Sequence, residues 1–130
     1  MGHETFVDPP YRAYKAAVAA DLVGKENYVV EQVAAAETIQ LFTSGIPIGV
    51  LHERLEGSDH WNVRLLGKGG TVKVIANGAI DTPAYVKAES GGKVIAASST
   101  NLAIGVKTSP AAAAAAGDVI EINDRVHAMP

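Results

Sequence analysis

Three groupings of residues in this chain hold the types that do chemistry. The first is Gly67-Lys68-Gly69-Gly70, which combines glycines with a lysine as phosphate loops do. A phosphate loop spells GxxxxGK followed by Ser or Thr, and lies between a strand and a helix so that main-chain amides and the helix N-terminus cradle the anion. Here Thr71-Val72-Lys73-Val74-Ile75 follows with strand alternation, and no hydroxyl residue succeeds the lysine. The four residues therefore read as a flexible turn. The second grouping is His52, Glu53, Asp59 and His60. Metal sites need ligands converging at fixed geometry, and these spacings match neither HExxH on a helix nor another His/carboxylate pattern. A charged loop between two strands is the expectation, with His3 and His127 as surface histidines near the two ends.

The third grouping is hydroxyls and carboxylates. Ser44, Ser58, Ser90, Ser98, Ser99 and Ser109 include no GxSxG elbow and no SxxK pair, so no nucleophile stands out. Asp81, Glu89, Asp118 and Glu121 read as turn residues or outward strand positions rather than an acid/base pair. There is no cysteine, which removes disulfides, thiolate metal sites and thiol nucleophiles together. No enzyme, cofactor or metal is expected.

The bulk properties agree. A net charge of −3 without a Lys/Arg run argues against nucleic acid as a partner, because phosphate neutralisation needs clustered positive charge. No apolar run approaches the roughly 18 residues that a membrane span requires, and no basic-then-apolar leader opens the chain, so neither membrane insertion nor signal-directed export is expected. With 48% hydrophobic and 19% charged residues the chain has the means to fold. Its apolar content is Ala and Val more than aromatic, which makes for a small core that oligomerisation would help.

The elements that must carry these residues repeat. Tyr28-Val29-Val30, Ile48-Gly49-Val50 and Asn62-Val63-Arg64-Leu65 recur as Tyr85-Val86-Lys87, Ile104-Gly105-Val106 and Asp118-Val119-Ile120-Glu121-Ile122, about 56 residues on. Period-2 alternation and turn residues predict strands at 28–30, 37–42, 46–51, 61–66, 71–75, 84–87, 93–97, 102–107 and 119–122. The fold class is all-β, a small β-barrel or β-sandwich of two quasi-repeated units. At 130 residues the two halves are expected to share one core, and Trp61 to Ile75 to form a hairpin around Gly67–Gly70. Ser109, Pro110, six alanines and Gly117 carry the punctuation of a short helix. Residues 1–23 differ from the rest. Pro9 and Pro10 favour extended geometry, and Tyr11 to Ala20 offers at most a marginal helix, so this stretch reads as an N-terminal arm ahead of a β-rich domain at 24–130.

Ala84-Tyr85-Val86, Gly91-Gly92-Lys93-Val94, Ala103-Ile104-Gly105-Val106 and Ala111 to Ile122, with Ile48-Gly49-Val50 echoing them, resemble the capsid decoration or cement proteins of tailed bacteriophages. The likeness rests on order and spacing and covers roughly residues 24 to 123. It implies a non-enzymatic virion protein on the outer surface of the head, present in the host cytoplasm during assembly. Its implied partners are the major capsid protein and further copies of itself, commonly as a homotrimer. An arm that reaches onto the shell would put Thr5, Phe6, Val7, Pro9, Pro10, Tyr11 and Tyr14 in contact with the capsid. Charged residues of the first copy, His52, Glu53, Arg54 and Arg64, would serve contact between subunits. The segment from His52 to His60 departs from the pattern, since the second copy has alanines there.

Two other readings stay open. A different phage head or tail β-component, such as a head-fibre base, has the same composition. A carrier domain resembling the biotinyl and lipoyl type is also built from two quasi-repeats and would present Lys68 or Lys93 at a hairpin tip, although the flanking residues of that family are missing.

Overall fold

The computed structural model describes residues 10–33, 37–56, 58–98 and 101–128. Ten strands and one helical turn follow in the order β1 (Tyr11–Ala16), α1 (Ala19–Leu22), β2 (Val29–Gln32), β3 (Thr38–Leu41), β4 (Pro47–Arg54), β5 (His60–Leu65), β6 (Thr71–Ile75), β7 (Tyr85–Ala88), β8 (Val94–Ala96), β9 (Leu102–Ser109) and β10 (Val119–Ala128). The all-β expectation holds.

The repeat is a repeat of topology. Strands β1 to β5 close into a barrel in the order β1-β3-β2-β4-β5, and β6 to β10 form a sheet in the order β6-β10-β9-β7-β8. Read from the third strand of each set, the neighbours are third, second, fourth, fifth, first in both. Register matches as well: Val30 pairs with Gly49 as Val86 pairs with Gly105. The barrel closes through parallel pairs Lys15 with Thr38 and Ala16 with Ile39. In the second unit a single parallel bridge, Ala76 to Val94, joins the corresponding edges.

The Gly in each Ile-Gly-Val run has a steric cause. A Cβ on Gly49 would lie 2.4 Å from Val63 Cγ1 and 2.6 Å from the Arg64 oxygen, and one on Gly105 would lie 2.0 Å from the Asn123 oxygen. Separations this short have no room for a side chain, so both crossings of the fourth strand over the fifth demand glycine.

Four expectations are corrected. The stretch 11–23 is not arm: Tyr11–Ala16 is a barrel strand paired with β5 from Tyr11 opposite Arg64 to Lys15 opposite His60. Tyr14 and Ala16 turn inward while Arg12, Ala13 and Lys15 stay exposed, an alternation that alanines and long cationic side chains hide in the sequence. Trp61 to Ile75 is not a hairpin, because β5 pairs with β1 and β4 while β6 pairs with β10. Gly67–Gly70 is instead the joint between the two units.

The core is not shared as one. Tyr14, Ala16, Leu22, Val30, Ile39, Leu51, Trp61 and Val63 fill the barrel. A second cluster, including Val74, Val86, Ile104, Ile120 and Ile122, fills the other unit and takes in Val29, Phe42 and Val50 from the outer face of the barrel. Those three side chains glue the units together by removing apolar surface from water.

Finally, residues 110–116 form no helix. Lys107, fully buried, extends its Nζ to the oxygens of Pro110 at 2.8 Å and Ala112 at 2.9 Å, and to the Thr82 hydroxyl. Ala114 is bridged in both directions to Ile80. Pro110, Ala112 and Ala114 thus spend on these partners main-chain groups that a helix would pair internally, which outweighs the helix propensity of alanine.

Candidate interaction surfaces

The joint between the units is where polar side chains converge. Arg64 on β5 and Asp124 on β10 form an ion pair at 2.9 Å with both side chains nearly excluded from solvent. The Asp124 carboxylate also accepts the amides of Gly67 at 2.7 Å, Lys68 at 2.8 Å and Gly69 at 3.1 Å. Arg64 spends its other donors on the oxygens of Leu65 and Gly69, both at 2.5 Å. Gly67, Gly69 and Gly70 all have φ between +73° and +83°, which turns successive amides toward one point. The glycine-lysine segment thus does cradle an anion, and the anion is the chain's own carboxylate. Sequence reasoning missed this because Asp124 lies more than fifty residues away.

A second carboxylate is held within the barrel. Glu31, buried on β2, accepts from Gln40 Nε2 at 2.7 Å, the Thr43 amide at 3.0 Å and hydroxyl at 2.8 Å, and the Gly45 amide at 3.0 Å. Burial disfavours its charge, yet these bonds prevail and hold its pKa down at about 2. All its partners belong to the loop from β3 to β4 or its approach, so the role is to fix that loop.

Between the barrel and β6 runs a half-open groove of about 290 Å³. One wall is the outer face of the barrel, where Val50, Arg64 and Tyr11 lie in one cross-strand row with His52 beside them. The Tyr11 and His52 rings meet at 4.9 Å. The other wall is Thr71, Val72, Lys73 and Glu121.

The residues expected to touch a capsid are divided. Thr5, Phe6, Val7 and Pro9 lie outside the described residues. Pro10 gives its oxygen to the Leu65 amide at 2.7 Å, and Tyr11 stays exposed at the groove. Tyr14 is withdrawn into the barrel core with the Arg12 guanidinium over its ring at 5.2 Å, so it has no face for a partner. Of the residues expected between subunits, His52, Glu53 and Arg54 are exposed on β4. Arg54 lies over the Trp61 ring at 5.1 Å and donates to the Ser58 oxygen at 2.8 Å. Arg64 is taken by Asp124 and is not available between subunits.

Among the described residues no group of three or more His, Asp and Glu side chains is arranged to hold a metal ion. Asp59 pairs with its neighbour His60 at 3.2 Å, Asp118 accepts the Ala115 amide at 2.9 Å, and Glu89 accepts from Asn77 at 2.5 Å. These carboxylates shape turns. No helix of the described residues is long and apolar enough to cross a membrane.

No family model matches the chain, and no curated protein does. A solved structure does: the head fiber gp8.5 N base of bacteriophage phi29 is similar with a TM-score of 0.63, covering 88% of this chain and 92% of that one. At 14% identity the likeness is one of fold.

Proposed function

We propose that this chain is a structural component of a phage head, attached to the outer surface of the shell and carrying no catalytic activity. The observation that supports it most is the likeness in fold to a head-fibre base over nearly the whole length of both chains. The physical layout suits such a role. The polar groups buried at the joint and under the 110–116 loop are spent on holding the fold, with the Arg64–Asp124 pair and Lys107 each saturated by internal partners. What remains at the surface is adhesive: Tyr11, Val18, Val23, Ile46, Tyr85, Leu102 and Val119 are large apolar side chains left exposed on a protein of this size.

Two attachments fit. As a cement protein the chain would bind shell junctions in many copies as homotrimers, stabilising the mature form by preferring it. As a fibre base it would sit at the shell surface beneath further structure, and the fold of the phi29 protein favours this second reading. In either case Pro10, Tyr11 and the residues before them are the proposed shell contact, and His52, Glu53 and Arg54 the proposed contact between copies. Incubating purified protein with heads that lack it, followed by sedimentation and imaging, tests the reading. Density on the outer shell supports attachment, and its repetition at every subunit junction or its restriction to fibre positions separates cement from base. Failure to sediment with heads at any maturation stage would overturn the proposal.

A further inference from the structure

Asn77-Gly78 is the one Asn-Gly pair in the chain. It opens the connection from β6 to β7, with Asn77 exposed to solvent. The backbone does not demand glycine at 78: its φ lies outside the left-handed region, and a Cβ there would meet nothing within 4 Å. Among the described residues the Gly78 amide donates to no acceptor. What the glycine leaves is access, since no side chain of its own crowds that nitrogen. Asn77, by contrast, is held at two points. Its main-chain amide donates to the Val94 oxygen at 2.8 Å, beside the Ala76 to Val94 bridge that joins the edges of the second unit. Its side-chain Nδ2 donates to Glu89 Oε1 at 2.5 Å. Glu89 heads the turn from β7 to β8, whose Gly91 amide and Gly92 oxygen bond the barrel at Phe42 and Val29.

We propose that Asn77 is a site of self-modification, at which the Gly78 nitrogen displaces the side-chain amide, and that Glu89 sets the rate by holding that amide. Hydroxide takes the Gly78 amide proton, the nitrogen forms a bond to Asn77 Cγ, and the Cγ–Nδ2 bond breaks. Nδ2 takes a proton from water and leaves as ammonia. Water then adds to one carbonyl of the cyclic imide and breaks its C–N bond. Opening at the side-chain carbonyl gives aspartate at position 77, and opening at the main-chain carbonyl gives isoaspartate, in which the chain runs through the side chain. The bond to Glu89 resists this step in two ways. Ring closure must draw Cγ into bonding distance of the Gly78 nitrogen, which an anchor on a separate turn opposes. An N–H given to a carboxylate also feeds electron density into the amide and makes Cγ a poorer electrophile. Glu89 is thus a positioning residue. The product reaches beyond its loop, because a carboxylate at 77 has no N–H for Glu89 and sets a second negative charge beside it. The turn that Glu89 heads is then expected to loosen on the barrel.

The proposal stands apart from head attachment and is tested without heads. Purified full-length protein is kept at neutral pH for weeks, and peptide mapping by mass spectrometry reads aspartate and isoaspartate at position 77. Both are expected to accumulate in the wild-type protein, and about threefold to tenfold faster in Glu89→Ala. Glu89→Gln, which keeps an acceptor oxygen, should return the rate most of the way to that of the wild type. Gly78→Ala, for which the fold has room, should slow it by at least about tenfold, because the added methyl crowds the attacking nitrogen. No product at 77 in either the wild-type protein or Glu89→Ala would overturn the site. Equal rates in those two proteins, or a Glu89→Gln rate as fast as that of Glu89→Ala, would overturn the role of Glu89. In Asn77→Asp, exchange of the Val29 amide, which is bonded to Gly92, should be at least about threefold faster than in the wild type. Unchanged exchange there would overturn the link from Asn77 to the barrel.

Discussion

The Arg64 guanidinium meets the Asp124 carboxylate at 2.9 Å, joining the last strand of the barrel to the last strand of the second unit. The pair is enclosed by the joint that it organises, since Asp124 also holds the amides of Gly67, Lys68 and Gly69. Removing one partner leaves the other charged, buried and under-bonded. Arg64→Ala and Asp124→Ala are each expected to cost about 3–5 kcal/mol. The double variant should cost less than the sum, because the second substitution removes a charge already orphaned. Urea unfolding followed by Trp61, the single tryptophan and a fully buried one, reads all three. Additive losses would mean that the pair is not coupled.

Glu31 predicts a pH dependence. Its folded pKa of about 2 lies below the reference 4.5, so the unfolded chain binds the proton more readily. The stabilisation is therefore fully present above about pH 4.5 and is lost as pH falls toward 2. Glu31→Gln should lower stability at pH 7 by about 1–3 kcal/mol and leave a flatter profile between those limits. The same slope in both proteins would assign the acid sensitivity to other groups.

These two carboxylates also mark how far the sequence could be read. Alternation around Trp61, Val63 and Leu65, and the recurrence of Ile-Gly-Val, are enough for β2 to β10 and the duplication, because burial on one face of a strand writes itself in period two. The identity of each strand's partner was not. Gly67–Gly70 has the composition of a hairpin turn, and what makes it a joint is Asp124, distant in sequence. In the same way Ser109 to Gly117 has every local signal of a helix, and Lys107 overrules them with its bonds to Pro110 and Ala112. Tyr11–Ala16 was missed because its inward positions are only Tyr14 and Ala16. The candidate surface is half legible: Tyr11 and His52 stand out in the sequence, but Thr71, Val72 and Lys73 join them at the groove only because β6 pairs with β10 and not with β5.

Lys107 supplies a third prediction. It occupies a fully buried position in β9, and its amine is the point on which residues 110–112 are hung. Lys107→Met keeps the apolar stem and removes the donors, leaving the Ala112 oxygen to find water and the Pro110 oxygen with the Thr82 hydroxyl alone. A loss of about 1–3 kcal/mol is expected, with faster amide exchange at Ala114 and new protease cleavage within 110–116. Intact resistance to cleavage would show that the Ala114–Ile80 bridge and the Thr82 and Asp118 bonds hold the loop without Lys107.

The last prediction concerns the turn from β7 to β8, which docks on the barrel. Val29 donates its amide to the Gly92 oxygen at 2.7 Å, and Gly91 donates to the Phe42 oxygen at 2.8 Å. Gly92 has φ +90°, and a Cβ there would lie 2.8 Å from the Val29 oxygen and 3.2 Å from the Tyr28 side chain. Gly91 has φ +102° but open space around it. Both alanine variants bear the backbone strain, about 1–3 kcal/mol, while only Gly92→Ala must also push the turn off the barrel. Gly92→Ala is therefore expected to be the more destabilising by at least about 1 kcal/mol, and to expose Val29 and Phe42 to a hydrophobic dye before global unfolding. Equal losses for the two variants, with no early dye binding, would mean that the contact between the turn and the barrel contributes nothing to holding the two units together.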